Sequence, residues 1–135
     1  MWLLDTVVLS ELRKRTPDPA VLSWLTQQQD TSLFLSVVSL GEIERGIEKQ
    51  RLVNVPFAAE LSQWLETLQA LYAERILPVT PPIARRWGAL SAQLGNDGVD
   101  LLIAATAIGH GLVVVTRNTR HFAPTGVRVL NPFAG

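Results

Sequence analysis

Apolar residues fall along this chain in two rhythms. Short apolar runs occur at Trp2-Leu3-Leu4, Leu33-Phe34-Leu35, Ile76-Leu77-Pro78-Val79, Leu112-Val-Val-Val-Thr116 and Val127-Arg-Val-Leu130. Their length and β-branched content predict strands. Between them, apolar positions recur at three and four. Val8, Leu9 and Leu12 form one set, and Val21, Leu22, Trp24 and Leu25 another. Leu40, Ile43 and Ile47 follow, then Phe57, Leu61, Trp64, Leu65, Leu68, Leu71 and Tyr72, then Ile83, Trp87, Leu90 and Leu94. That spacing predicts amphipathic helices. Prolines punctuate the pattern: Pro19 suits the first turn of a helix capped by Asp18, and Pro56 and Pro81-Pro82 open later helices. Pro78 places the third strand at an edge or strand end.

One stretch differs. From Asp100 through Ile108 the chain is apolar on almost every side, which predicts a buried helix too short to span a bilayer. Gly109 and Gly111 should end it. Gly41 and Gly46 lie inside a predicted helix, where glycine is costly unless something packs close. Strands alternating with helices predict an α/β sandwich with a mostly parallel sheet, organised as one domain over residues 1–135. Sites in such sheets form beyond the carboxyl ends of the strands.

Composition narrows the chemistry. Hydrophobic residues make up 47% and charged residues 18% of the chain, so it can build a core and is not disordered. Twelve Lys and Arg balance twelve Asp and Glu, which argues against coating nucleic acid by charge alone. The absence of cysteine excludes disulfides, thiolate metal sites and Cys nucleophiles. With only His110 and His121, a His-rich zinc site is not expected. Met1-Trp-Leu-Leu-Asp5 lacks the basic flank and long apolar core of a signal peptide, so a cytoplasmic protein away from membranes is expected.

The predicted topology brings four polar positions to one sheet edge. Asp5 directly follows the first strand, and Glu42 lies just after the second. Asn118 follows the strand ending at Thr116, and Asp100 begins the buried helix. Each has a plain structural alternative. Asp5 can bond turn amides, Glu42 can form a capping box with Ser39, Asp100 can cap its helix, and Asn118 can be a turn residue. None of these alternatives requires all four to share an edge. Crowded carboxylates raise one another's pKa unless a cation intervenes, and oxygen-only ligands favour Mg²⁺ or Mn²⁺.

Four segments carry a family resemblance: Leu3-Leu4-Asp5-Thr6, Ser39-Leu-Gly-Glu42 with Arg45-Gly46-Ile47, Asp100-Leu-Leu-Ile-Ala-Ala-Thr-Ala107, and Val115-Thr-Arg-Asn-Thr-Arg-His-Phe122. In this order they resemble the PIN-domain ribonucleases, specifically toxins of the VapC and FitB type. The resemblance implies a three-layer, Rossmann-like fold with a central, mostly parallel five-stranded sheet. It also implies a Mg²⁺- or Mn²⁺-dependent endoribonuclease that leaves 3′-hydroxyl ends, with metal-site roles for Asp5, Glu42 and Asp100. The implied partners are RNA, a VapB- or FitA-like antitoxin, a second copy of the chain, and operator DNA through the antitoxin only. The family's fourth acid is Asn118 here, which removes one negative charge and bears on any second metal. The toxin branch often carries Asn at this position, so catalysis is still expected.

Around these residues, Arg117 and Arg120 are candidates for phosphate contacts. Thr6 and Thr116 can bond the acids, a bound water or RNA, and His121 fits a surface residue as well as a functional one. Asp97 is expected to serve the turn. A groove by the first helices, Leu9 to Trp24, is expected to take an amphipathic peptide. Trp64, Leu68, Tyr72 and Trp87 exceed what one small core must bury, which favours a homodimer. Two rivals remain. A phospho-acceptor signalling domain needs a lysine near the site, and neither Lys14 nor Lys49 follows a strand on this edge. A catalytically silent PIN-like binding subunit would be expected to have lost Asp5 or Asp100, and both are present.

Overall fold

The computed structural model describes residues 1–133; positions 134–135 of the expected domain lie outside the described residues. Five strands, β1 (Trp2–Leu4), β2 (Leu33–Ser36), β3 (Ile76–Leu77), β4 (Val113–Val115) and β5 (Val129–Leu130), form one sheet in the order β3-β2-β1-β4-β5. All four pairings are parallel, with Leu3 opposite both Phe34 and Val114, and Val115 opposite Leu130. Among the described residues seven α-helices accompany them: α1 (Thr6–Leu12), α2 (Pro19–Thr26), α3 (Val37–Arg51), α4 (Val55–Leu71), α5 (Pro81–Leu94), α6 (Val99–His110) and α7 (Thr119–Phe122).

The strands are apolar on both faces because both faces are covered. Successive residues therefore enter different cores. Leu4, Leu35 and Val115 pack with Val8, Val21, Ile43, Ile47, Leu65 and Leu68 of α1 to α4. Leu3, Val114 and partly buried Phe34 pack with Ile103, Ala104 and Ala107 of α6 and with Phe122 of α7. The all-round apolar helix is α6, whose residues Ile103 to Ala107 are all buried.

Several expectations shift by a residue or a role. The last three strands are shorter than their apolar runs, and β3 stops at Leu77, before Pro78, on the sheet edge. Gly111 alone ends α6, in the left-handed conformation at φ 68°. Gly109 lies inside the last turn, where an added Cβ would come within 3.3 Å of Ile83 on α5. Glycine there allows the two helices to approach. At Gly41 and Gly46 an added Cβ would meet nothing within 4 Å, so packing does not require glycine. Asn96 rather than Asp97 builds the turn before α6, its Oδ1 accepting from Gly98 N at 2.8 Å.

Two features were not foreseen. Helix α7 is a single turn, too brief to show periodicity. Glu11 belongs by sequence to the charged side of α1, yet its side chain is buried. It accepts from Lys14 Nζ and from Asp18 N, each at 2.8 Å. These bonds fasten the α1–α2 connection and hold its carboxyl below the usual carboxylate range. The large apolar residues that suggested a dimer are mostly absorbed. Leu68 is buried, and Trp64 and Tyr72 pack against the first core. The apolar side chains left in solvent are chiefly Leu52, Val53, Val55 and Leu71.

Candidate active site

The chain moves outward from β1 to β2 and β3, then returns to place β4 on the other side of β1. The order reverses between β1 and β4, and open α/β sheets keep a crevice at such a reversal. Asp5 is the first residue beyond β1, and Thr116 is the first beyond β4. Asp5 N donates to Val115 O at 2.9 Å, extending the strand pairing by one bond. Thr116 Oγ1 then donates to Asp5 Oδ2 at 2.8 Å. The other oxygen, Oδ1, accepts from Thr6 N at 2.8 Å and caps α1.

The capping alternative therefore holds for Asp5 but does not exhaust its role. Its carboxyl is buried, and no Lys or Arg pairs with it among the described residues. Burial pushes it up to about 6; the bonds from Thr116 and Thr6 act against this, and the charges of Asp100 and Glu42 act with it. Asp5 thus lies in the field of two further acids, Asp100 and Glu42.

Glu42 reaches the edge from α3. Its capping-box alternative fails, because the cap of α3 is Ser36, whose Oγ accepts from Val38 N at 3.0 Å. Ser39 is buried in the first turn instead. Thr6 Oγ1 is hydrogen-bonded to Ser39 Oγ at 2.9 Å and donates to Glu42 Oε1. Thr6 thereby links the first acid to the second, and Ser39 joins the network as a residue the sequence had offered only as a cap. Asp100 does not cap α6 either, since Gly98 holds that position. It sits in the first turn, where a negative charge is favoured by the helix dipole, with Oδ2 at 3.0 Å from His121 Nδ1.

Asn118 occupies the N-cap position of α7 without a capping bond from its side chain. Its backbone N donates to Thr116 Oγ1 at 2.9 Å, which places it next to the Asp5–Thr116 pair. Glu42, Asp100, Arg120 and His121 line one cleft of about 530 Å³. Asn118 lines a neighbouring depression of about 210 Å³ with Arg117, Arg120 and His121. Arg120 faces both, whereas the Arg117 guanidinium stacks 3.9 Å from the centre of the Phe133 ring. A separate groove of about 200 Å³ runs from Thr6, Arg13 and Glu42 to Gly46, Phe57 and Trp64. Its far wall is α4, and a second depression of about 300 Å³ lies by the first two helices, lined by Leu12, Leu22, Leu25 and Tyr72. Leu9 is fully buried, and Trp24 packs edge-on against Trp2 at 5.1 Å.

Among the described residues, no three Asp, Glu or His side chains stand together as a finished metal cage. The donors nevertheless suit a hard divalent ion. Mg²⁺ characteristically keeps several waters and takes only one or two carboxylates from the protein. Asp5 and Asp100 are carboxylates of that kind, and the field of Glu42 also reaches Asp5. A cation there would also relieve the charge crowding that raises Asp5.

The residues that make this edge match known proteins along nearly the whole chain. The sequence profile described as "PIN domain" matches residues 2–126. The VapC ribonuclease Y4jK of Sinorhizobium fredii is 38% identical over 143 aligned positions, covering 98% of this chain and 98% of that protein. The crystal structure of FitAcB from Neisseria gonorrhoeae superposes with a TM-score of 0.85 at 34% identity, covering 98% of each chain. A structure of FitAB bound to a DNA fragment superposes equally well, with a TM-score of 0.85 at 32% identity, covering 100% of this chain and 97% of that one. No helix among the described residues is long and apolar enough to cross a membrane. With its parallel five-stranded sheet, its acids at the reversal of strand order and a profile match from the first strand to the last turn, the chain belongs to the PIN domain family.

Proposed function

We propose that this protein is the ribonuclease toxin of a toxin–antitoxin pair, hydrolysing RNA phosphodiester bonds with Mg²⁺ or Mn²⁺. One observation carries the reading: a buried Asp5 at the strand-order reversal with no ion pair among the described residues, and with Asp100 and Glu42 close enough to raise its pKa. Burying a carboxylate without a counter-charge is costly, which is intelligible where a cation and a phosphate are to be received. Similarity to a VapC ribonuclease and to the FitB-containing complexes supports the same reading.

A divalent ion at this site supplies Lewis-acid polarisation of a phosphoryl oxygen and a more acidic water. The chain does the rest. Thr6 N and Thr116 Oγ1 fix both oxygens of Asp5. Thr6 Oγ1 aims Glu42 at the same edge. Arg120, exposed beside Asp100, is placed to meet RNA phosphates, with Arg117 adjoining it. Single-stranded or looped RNA suits an open cleft of this kind, where the backbone is accessible.

The groove bounded by Thr6, Arg13, Phe57 and Trp64 opens beside Glu42. An antitoxin segment lying in it would block the acids, and operator DNA would be reached through that antitoxin. A second copy of the chain is the other expected partner.

The purified protein is expected to cleave RNA only with Mg²⁺ or Mn²⁺, to stop on chelation, and to lose cleavage in Asp100→Ala. Gel analysis of RNA ends, with equal activity in excess chelator as the disproving result, decides the point.

Asn118 offers a second test. Its amide oxygen accepts but brings no charge, so metal binding without RNA should be weak. Asn118→Asp is expected to tighten Mn²⁺ binding, and Asn118→Ala to reduce cleavage less than Asp100→Ala does. Calorimetry showing no gain for Asn118→Asp would assign Asn118 to the start of α7 alone.

A further inference from the structure

The geometry points to His121 as a positioning residue for this cleavage: its Nδ1–H holds one oxygen of Asp100, so that the other is presented to the cleft. The inference rests on the reading of Asp100 as a metal-site carboxylate. Asp100 has no capping duty, because Gly98 occupies the cap of α6. A half-exposed Asp in that setting would sample several rotamers. The partner found for it is His121 Nδ1, 3.0 Å from Oδ2 and on a different element. A carboxylate only accepts, so Nδ1 carries the hydrogen.

The position of His121 is itself fixed. Its neighbour Phe122 is fully buried and packs with Ile103, Ala104 and Ala107, which clamps α7 onto α6. His121 N donates to Asn118 O at 3.0 Å, and Thr125 Oγ1 donates to Phe122 O at 2.6 Å. These contacts fix the backbone of His121, and the imidazole itself is held by Asp100. Groups that orient a metal-binding carboxylate typically change metal affinity or activity by about 10–100-fold. The His121 side chain is 63% exposed, so the lower end applies.

The test is Mn²⁺ calorimetry on the metal-free protein, paired with RNA cleavage, for wild type, His121→Ala, His121→Asn and Asp100→Ala. His121→Ala is expected to weaken Mn²⁺ binding about tenfold, to lower kcat while leaving KM for RNA in place, and to leave the metal-free melting temperature unchanged. His121→Asn sets an amide N–H near the position of Nδ1, and should recover most of the loss. Nitrogen-15 spectra of the wild-type protein should show the hydrogen on Nδ1. The inference is overturned if His121→Ala binds Mn²⁺ as wild type does while Asp100→Ala does not, or if Asn rescues no better than Ala. It is overturned equally if only KM rises, which marks an RNA contact, or if the free protein carries the Nε2–H tautomer. If Asp100→Ala itself binds Mn²⁺ and cleaves normally, the metal-site reading falls first, a result distinct from failure at His121.

Discussion

Asp5→Asn is expected to abolish RNA cleavage and, in the same protein, to raise the melting temperature without metal at neutral pH. The loss of activity should be about 10²–10³-fold or more, the scale of removing one electrostatic contact from a transition state. Expressed freely, wild type should arrest growth and the variant should not. The gain in stability follows from the direction of the shift. An unfolded Asp titrates near 3.9, whereas folded Asp5 titrates at about 6. Between those values the folded state holds a proton that the unfolded state has released. The contribution of Asp5 to stability is therefore fullest below about pH 4, falls as pH rises to about 6, and stays low above it.

Asparagine removes that dependence. The two-unit shift sets a ceiling near 3 kcal/mol. About 1–2 kcal/mol is expected, because the new NH₂ replaces an oxygen that accepts from Thr116 or Thr6. Melts from pH 4 to 8 should show the variant's advantage opening through that window. Saturating Mn²⁺ should then stabilise wild type and not the variant. A variant that melts below wild type at every pH, with metal absent, would make Asp5 chiefly a cap.

Phe122→Ala should give the largest loss of stability among single changes near the site. The ring is fully buried in the second core, against Ile103, Ala104 and Ala107, and truncations of this kind cost about 3–5 kcal/mol. Phe122 is also the anchor of a one-turn helix that carries Asn118 at its cap and His121 beside Asp100. Cleavage should therefore fall further than the folded fraction does. Urea melts and cleavage rates, measured where the variant is fully folded, separate the two effects. A variant that is destabilised but fully active when folded would show that α7 contributes nothing to the site. Phe122→Leu should lose less of both.

Much of this was readable from periodicity. Runs such as Leu33-Phe34-Leu35 are apolar at every position because β2 is covered on both faces, and that signature distinguishes a central parallel strand from a solvated one. Asp5, Glu42 and Asp100 converge because topology, not sequence distance, sets their edge. What sequence left open was local. Ser36 and Ser39 are both residue types that cap helices, and the bond from Val38 N to Ser36 Oγ decides between them, leaving Ser39 buried inside α3 beside Thr6. Glu11 looked solvated because one side of its helix is charged, yet the turn of chain at Asp18 folds over it. A helix's apolar face shows that it packs, not against what, and Trp24 spends its face on Trp2.

The hydrogen bond from Thr116 to Asp5 joins residues 111 positions apart, and this sets a clock. Asp5 leaves the ribosome early, but its oxygens cannot be fixed until β4 has been made and has docked beside β1. At about 5–20 residues per second, that interval is on the order of ten seconds, before the entropy of closing so long a loop is met. A nascent or truncated chain carries the first acid and no active site. Under the proposed function the chain should therefore be unable to cleave RNA during its own synthesis, and a partner that blocks the site has until the last strands pair to reach it.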